Sequence, residues 1–229
     1  MTEQVKEQSG VTRRDFLKAS SGVALGVVIG GALYKLIPLG DGVVAYAASE
    51  GYLLVDTKKC CGCDSCMLAC SLVHTGQSNL SLSRIQVLQD PYGSFPNDIA
   101  QSPCRQCVYP ACAEACPTGA LHADEENGGA RMVDESKCIG CMSCIEACPY
   151  EPARVQWNPD EAHSQKCDLC ADTPHWSEEG GVGGKQACVE ICPMRCIRFT
   201  SEIPSQEWDV GYDVNMRTAA WANFGMPTD

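Results

Sequence analysis

The sequence predicts an α+β chain of two small modules, one inserted in the other, with short β-hairpins and short helices. Three observations predict it. Sixteen of the eighteen cysteines fall into four quartets. The quartets follow the order A-B-A-B, two copies of a two-quartet unit. Short apolar segments bounded by turn residues frame the quartets on both sides.

The first quartet is Cys60, Cys63, Cys66 and Cys70, and the second is Cys104, Cys107, Cys112 and Cys116. The third is Cys138, Cys141, Cys144 and Cys148, and the fourth is Cys167, Cys170, Cys188 and Cys192. Quartets one and three read C-x2-C-x2-C-x3-C, the ferredoxin run that holds a 4Fe–4S cube. A cube needs a thiolate at each iron, and three cysteines spaced two residues apart wrap one side of it from a single tight loop. Cys144 and Cys148 stand at i and i+4, on one face of a helix if that stretch is helical. Quartet two widens one gap around Tyr109 and Pro110, and quartet four splits into C-x2-C, a long insert and C-x3-C. Taken alone, quartet four also suits zinc; quartets one and three do not, because a third cysteine follows two residues on. No C-x2-C pair is followed by the histidine that covalent haem requires. A disulfide framework leaves the two matching ferredoxin runs unexplained.

The internal repeat is explicit. Lys59-Cys60-Cys61-Gly62-Cys63-Asp64-Ser65-Cys66 aligns with Lys137-Cys138-Ile139-Gly140-Cys141-Met142-Ser143-Cys144. Cys112 to Pro117 aligns in the same way with Cys188 to Pro193. The alignment pairs the two spare cysteines with apolar residues, Cys61 with Ile139 and Cys196 with Ala120. Both therefore suit a small packing role, and an alternative ligand or redox role stays open for each.

Strands are expected at 52–55, 120–122, 130–133 and 197–199, with further ones near 83–88 and 154–157. Glu126-Asn127-Gly128-Gly129 is a turn signal that joins quartets two and three in one hairpin module. Quartets one and four must then form the other module, with 51–55 pairing near 197–200. The expected organisation is two ferredoxin-like 2[4Fe-4S] modules: an outer module in two parts (48–100 and 160–204), an inner module inserted at 101–159, and a C-terminal tail at 205–229. In two-cluster ferredoxins the fourth cysteine of a run serves the neighbouring cube. Applied to this nesting, that rule gives four crossed ligand sets. They are Cys60, Cys63, Cys66 and Cys192; Cys167, Cys170, Cys188 and Cys70; Cys104, Cys107, Cys112 and Cys148; and Cys138, Cys141, Cys144 and Cys116.

Residues 1–47 carry an export signal. Thr12-Arg13-Arg14-Asp15-Phe16-Leu17-Lys18 is a twin-arginine motif, Val23 to Leu33 is apolar, and Ala45-Tyr46-Ala47 is an A-x-A cleavage candidate. Lys35 interrupts the apolar run well short of the roughly 20 residues a spanning helix needs. Cleavage near Ala47 is the favoured outcome, and an uncleaved anchor the other. Cleavage removes five basic and four acidic residues, taking the formal charge from −12 to −13. So acidic a surface argues against nucleic acid and for docking to a basic partner patch, solubility alone being the plainer explanation.

The quartets, their order and the flanking strands, over 51–200, resemble the four-cluster iron–sulfur subunit of molybdenum or tungsten pterin oxidoreductases. Cys104-Arg105-Gln106-Cys107, Pro110-Ala111-Cys112, Cys116-Pro117 and Lys166-Cys167-Asp168-Leu169-Cys170 carry the likeness. The long insert, with Gly180-Gly181-Val182-Gly183-Gly184-Lys185, and the tail from Trp208 most resemble the small iron–sulfur proteins associated with tungsten enzymes of the aldehyde:ferredoxin oxidoreductase type. The resemblance implies the same crossed ligation and an electron wire, not an enzyme in its own right. It implies a large molybdenum or tungsten pterin catalytic subunit as partner, with a membrane quinone-linked subunit, a cytochrome or a soluble carrier at the other end. The expected site is periplasmic, with membrane association through a partner or an uncleaved signal. The alternative is a free-standing periplasmic polyferredoxin that shuttles between several partners.

The glycine-rich insert lacks the Ser/Thr and spacing of a phosphate loop and is expected to be a mobile loop. His74, His122, His163 and His175 lie outside the quartets and are expected at the surface; His163 and Lys166 stand close enough to Cys167 in sequence to tune a cube electrostatically. The tail aromatics Trp208, Tyr212, Trp221 and Phe224 either pack back on the chain or wrap onto a catalytic partner. In the second case deleting 205–229 would spare the clusters and abolish association.

Overall fold

The computed structural model describes residues 26–29, 32–39, 42–226 and 228. The twin-arginine motif lies outside them. The chain divides into two compact units, residues 1–46 and 47–229. In the N-terminal part, β1 (Gly26–Ile29), β2 (Ala32–Leu39) and β3 (Gly42–Ala47) form a three-stranded sheet in that order. No helix among the described residues is long and apolar enough to cross a membrane.

The second unit begins with β4 (Tyr52–Val55), which pairs antiparallel with β11 (Ile197–Thr200), Tyr52 opposite Thr200. Every residue of β4 is buried, because both faces are covered. Alternation sends Leu53 and Val55 into the main core and Tyr52 and Leu54 to a second cluster built on Tyr212. The tail supplies that second cover. Val55 N–H donates to the Tyr212 carbonyl (2.8 Å) and Val214 N–H to the Val55 carbonyl (2.7 Å), so the chain beyond 205 lies along the free edge of β4. The buried Tyr212 ring meets Tyr52 edge-on, and its hydroxyl donates to the Arg105 carbonyl at 2.7 Å.

Between these two strands come three more antiparallel pairs. β5 (Gln86–Gln89) pairs with β6 (Ile99–Ser102), β7 (Leu121–Asp124) with β8 (Ala130–Val133), and β9 (Val155–Asn158) with β10 (His163–Lys166). The turn between β7 and β8 falls on the expected glycines, Gly128 and Gly129, both at positive φ. The strand expected at 83–88 is displaced to 86–89, and β6 and β10 are strands with no counterpart among those expected from the sequence.

Four helices follow the quartets. α1 (Ser65–Thr75) carries Cys66 and Cys70 and stops at Gly76, whose left-handed φ of 73° lets its N–H reach the Leu72 carbonyl. α2 (Ala111–Glu114), α3 (Ser143–Glu146) and α4 (Ala187–Ile191) are single turns. α3 ends before Cys148, so Cys144 and Cys148 do not share a helix face. α1 packs against α4, and α2 against α3.

The interior is thin in carbon. Eight of the fifteen buried residues in the main core cluster are cysteines. One polar network braces it. Asp168 is buried and accepts from His74 Nε2 (3.0 Å), Arg84 Nη1 (2.9 Å), Cys170 N–H (2.9 Å) and Asp172 N–H (3.2 Å). Burial alone would raise the Asp168 carboxyl; the His74 hydrogen bond and the charges of His74 and Arg84 outweigh it and hold the group down at about 2. For His74, burial works against the charged form, yet its bonds to Asp168 and Cys70 push it up to about 9. His74 and His163 are thus buried rather than at the surface. Position i+4 from Cys70 puts His74 on the ligand-bearing face of α1.

This packing can be tested at two side chains. Asp168→Ala leaves Arg84 and His74 as uncompensated buried charges and should cost about 3–5 kcal/mol. Tyr212→Ala removes a fully buried ring and should cost a similar 3–5 kcal/mol or so. Both are read as lower guanidinium unfolding midpoints of the anaerobically purified protein, and an unchanged midpoint for either refutes its assignment.

Candidate metal centres

The loops that present the cysteines share one backbone device. The residue just before the second cysteine of each quartet has positive φ: Gly62 (66°), Gln106 (47°), Gly140 (69°) and Leu169 (61°). In quartets one and three a second left-handed residue follows, Asp64 (56°) or Met142 (59°). Alternating handedness curls the chain so that successive N–H groups point into a concave nest that suits anionic sulfur. For a side chain other than glycine the left-handed conformation costs about 1–2 kcal/mol. Gln106 is held there by two buried bonds, from Nε2 to the Cys167 carbonyl and from Arg131 N–H to Oε1, each 2.8 Å.

The sulfurs gather in four corners. Cys60, Cys63, Cys66 and Cys192 line one concavity of about 260 Å³, with Cys61, Cys196 and Gln101. Cys138, Cys141, Cys144 and Cys116 line another of about 320 Å³. Cys167, Cys170 and Cys188 stand in one another's field together with Cys70. Cys104, Cys107 and Cys112 form the remaining corner, where Cys112 also feels Cys148. In the two concavities Cys192 and Cys116 come from a different quartet than the other three sulfurs.

The corners stand in a row. Cys188 lies within electrostatic range of Cys66, Cys167 of Cys104, and Cys112 of Cys144. The order is therefore the Cys60 corner, the Cys167 corner, the Cys104 corner and the Cys138 corner. Cys63 and Cys141, one in each end corner, are exposed, whereas all four sulfurs of the Cys167 corner are buried.

The donor set fits a polynuclear iron–sulfur core. Burial pushes the Cys66, Cys107 and Cys170 thiols up to about 12, and Cys167 and Cys188 are raised by burial as well. A cationic metal core reverses that balance, since a coordinating thiol is deprotonated outright. Each of the two open concavities is lined by at least four cysteines, a donor set that suits an iron–sulfur core. Buried guanidinium atoms at the Cys104 corner, Arg105 Nη1 with Arg154 Nε and Nη1, have no protein acceptor, as expected beside an anionic group.

Several contributing residues were not legible from spacing. Gln101 Nε2 lies 3.3 Å from both the Cys60 and Cys196 sulfurs. Cys196 is buried with its Sγ 3.4 Å from that of Cys192, and its hydrogen bond lowers both Cys192 and Cys60. Cys61, the other spare cysteine, is exposed. Backbone N–H groups of Arg84 and Arg154 point at the Cys70 (3.4 Å) and Cys148 (3.2 Å) sulfurs. The glycine-rich insert is tied down rather than loose. Gly181 N–H donates to the Leu169 carbonyl (3.1 Å), and Gln186 Nε2 bridges the Gly181 (2.8 Å) and Gly184 (3.3 Å) carbonyls. Gly180 runs so close to the Cys170 carbonyl that a Cβ there would collide with it.

Comparison with known proteins agrees with this chemistry. Residues 97–202 match the 4Fe-4S dicluster domain family. The NrfC homolog of Haemophilus influenzae is 38% identical over 155 residues, which is 64% of this chain and 63% of that protein, just under two thirds of its length. The thiosulfate reductase electron transfer subunit PhsB of Salmonella typhi is 32% identical over 168 residues, 71% of this chain and 83% of that one. A component of the anaerobic dimethyl sulfoxide reductase of Escherichia coli K12 is 35% identical over 154 residues, 63% of this chain and 70% of that one. The chain therefore belongs to the family of 4Fe-4S dicluster electron-transfer proteins, whose members serve oxidoreductase complexes as iron–sulfur subunits and not as catalytic ones.

Proposed function

We propose that this chain is a four-cluster electron-transfer subunit that links a molybdenum or tungsten pterin catalytic subunit to a membrane or soluble carrier. The observation that carries the proposal is the row of four thiol corners whose two ends reach the surface through Cys63 and Cys141. The ligand sets are Cys60, Cys63, Cys66 and Cys192; Cys167, Cys170, Cys188 and Cys70; Cys104, Cys107, Cys112 and Cys148; and Cys138, Cys141, Cys144 and Cys116. When bound, each cube would take up and release one electron. The protein's part is to fix the spacing, exclude water from the Cys167 corner and set the local charge.

The nested arrangement is part of the same reading. Pairing of β4 with β11 and packing of α1 on α4 support an outer module made from both ends of the unit. The β7–β8 hairpin and packing of α2 on α3 support an inner one. The partner assignment rests on the relatives, which are named as components of a dimethyl sulfoxide reductase and a thiosulfate reductase. The twin-arginine motif supports export to the periplasm in the folded, cluster-loaded state, because that route carries folded cargo.

Metal analysis of the anaerobically purified chain should give about sixteen iron and about sixteen acid-labile sulfide, four of each per cube. Zinc, or iron near half that amount, would refute the four-cluster reading. The crossed ligation has its own test in double variants. Cys116→Ser with Cys141→Ser strikes one proposed cube and should remove about four iron, whereas Cys116→Ser with Cys107→Ser strikes two and should remove about eight. The opposite pattern would place Cys116 with its own quartet.

A further inference from the structure

The corners differ in charge. Four lysines and arginines are buried as whole residues among the described ones, Arg105, Arg131, Arg154 and Lys166, with exposures of 2, 0, 5 and 3%. All four collect around the Cys104 corner. Lys166 ends β10 as a buried cation within electrostatic range of Cys104, Cys112 and Cys107. Arg131 donates from Nε (3.2 Å) and Nη2 (3.0 Å) to the Cys107 carbonyl. Arg154 aims its backbone N–H at the Cys148 sulfur, and its guanidinium feels Cys148 and Cys104. Arg105 follows Cys104 directly and stacks over the Tyr212 ring at 4.6 Å.

Compensating charge is sparse. Asp209 pairs with Arg105 (2.5 Å) and reaches Arg154 only at 4.0 Å, from a side chain that is 55% exposed. Among the described residues no carboxylate pairs with Lys166 or Arg131. The excess is smaller at the other corners. At the Cys167 corner Arg84 and His74 are answered by the buried Asp168. At the Cys60 corner the polar neighbours are the neutral Gln101 and Cys196. At the Cys138 corner Ser164 and Thr118 play that part, and Lys137 points to Asp134 at the surface.

We propose that Lys166, helped by Arg131 and Arg154, makes the Cys104, Cys107, Cys112 and Cys148 site the highest-potential of the four. Reduction adds a negative charge to a thiolate-bound core. A buried cation beside that core stabilises the reduced form, and low dielectric strengthens the effect. The third position in the row thus becomes an electron reservoir between its neighbours. Lys166 is a positioning charge rather than a ligand. It also lies at the joint between the two middle corners, since the next residue, Cys167, belongs to the Cys167 corner.

The inference rests on the proposed ligand sets, and the two fail separately. Iron and sulfide content of the full-length, anaerobically purified protein tests the ligands; an EPR-monitored redox titration of the same samples tests the charge. Lys166→Met, with iron content intact, should lower the highest of the midpoints and leave the others in place, while Lys166→Arg should restore it. Asp209→Asn removes the exposed counter-carboxylate without disturbing the core and should move that same midpoint upward. If Lys166→Met loses about four iron, the Asp209 variant decides alone. An unmoved highest midpoint, or a shift confined to another cluster, overturns the proposal.

Discussion

Cysteines from distant stretches of chain have to be brought together, and the rest of the structure follows from that constraint. A C-x2-C loop delivers two or three thiols from one side. Cys192 reaches the Cys60 concavity from a quartet far away in sequence, and Cys70 lies within electrostatic range of Cys167. Pairing of β4 with β11 and packing of α1 on α4 close those distances. They are short elements with little apolar area behind them. Much of the interior is cysteine whose thiols burial holds protonated until a metal displaces the proton. A chain with so little carbon in its core gains folding free energy from the metal it binds.

The same constraint explains why sign of charge is partitioned. The chain is strongly acidic overall, with a formal charge of −12. Its buried lysines and arginines nevertheless gather at one corner. Burying a cation is costly unless an anion answers it, and carboxylates at that corner amount to the half-exposed Asp209. Under the proposed function an anionic cluster bound there would supply the missing charge and let these residues stay inside. The acidic exterior is a separate matter: exposed charge of one sign favours solubility and acts only over about a Debye length.

Much of this was legible in the sequence because the cysteines and the repeat carry hard geometric information. Aligning Cys60–Cys70 with Cys138–Cys148 gave two loops with matching left-handed residues, Gly62 with Gly140 and Asp64 with Met142. The turn signal at 126–129, by joining quartets two and three, led to the pairing of 51–55 near 197–200, which is where β4 and β11 pair. The strands that escaped, β6 and β10, are Ile-Ala-Gln-Ser and His-Ser-Gln-Lys, with little β-branched or aromatic content and no alternation. They are strands because their polar side chains have partners inside: Gln101 on sulfur, Gln165 on the Leu82 carbonyl and Ser164 beside Cys144. The buried histidines escaped for the same reason. Spacing along the chain says nothing of Asp168, whose carboxylate offsets the burial of His74.

The C-terminal tail shows how a segment can belong to both the interior and the surface. Its middle is structural, with Tyr212 seated on β4 and its hydroxyl on the Arg105 carbonyl, while Gln206 accepts from Val108 N–H at 3.1 Å. Asp209 lends its charge to Arg105 and so enters the electrostatics of the Cys104 corner. Trp208 and Phe224 nonetheless stay 68% and 80% exposed. The expectation that removing 205–229 would spare the clusters does not fit a tail that covers β4 and helps balance a buried charge. Any docking role for Trp208 and Phe224 has to be separated from this packing by changing those two side chains singly, since truncation removes the cover and the counter-charge along with them.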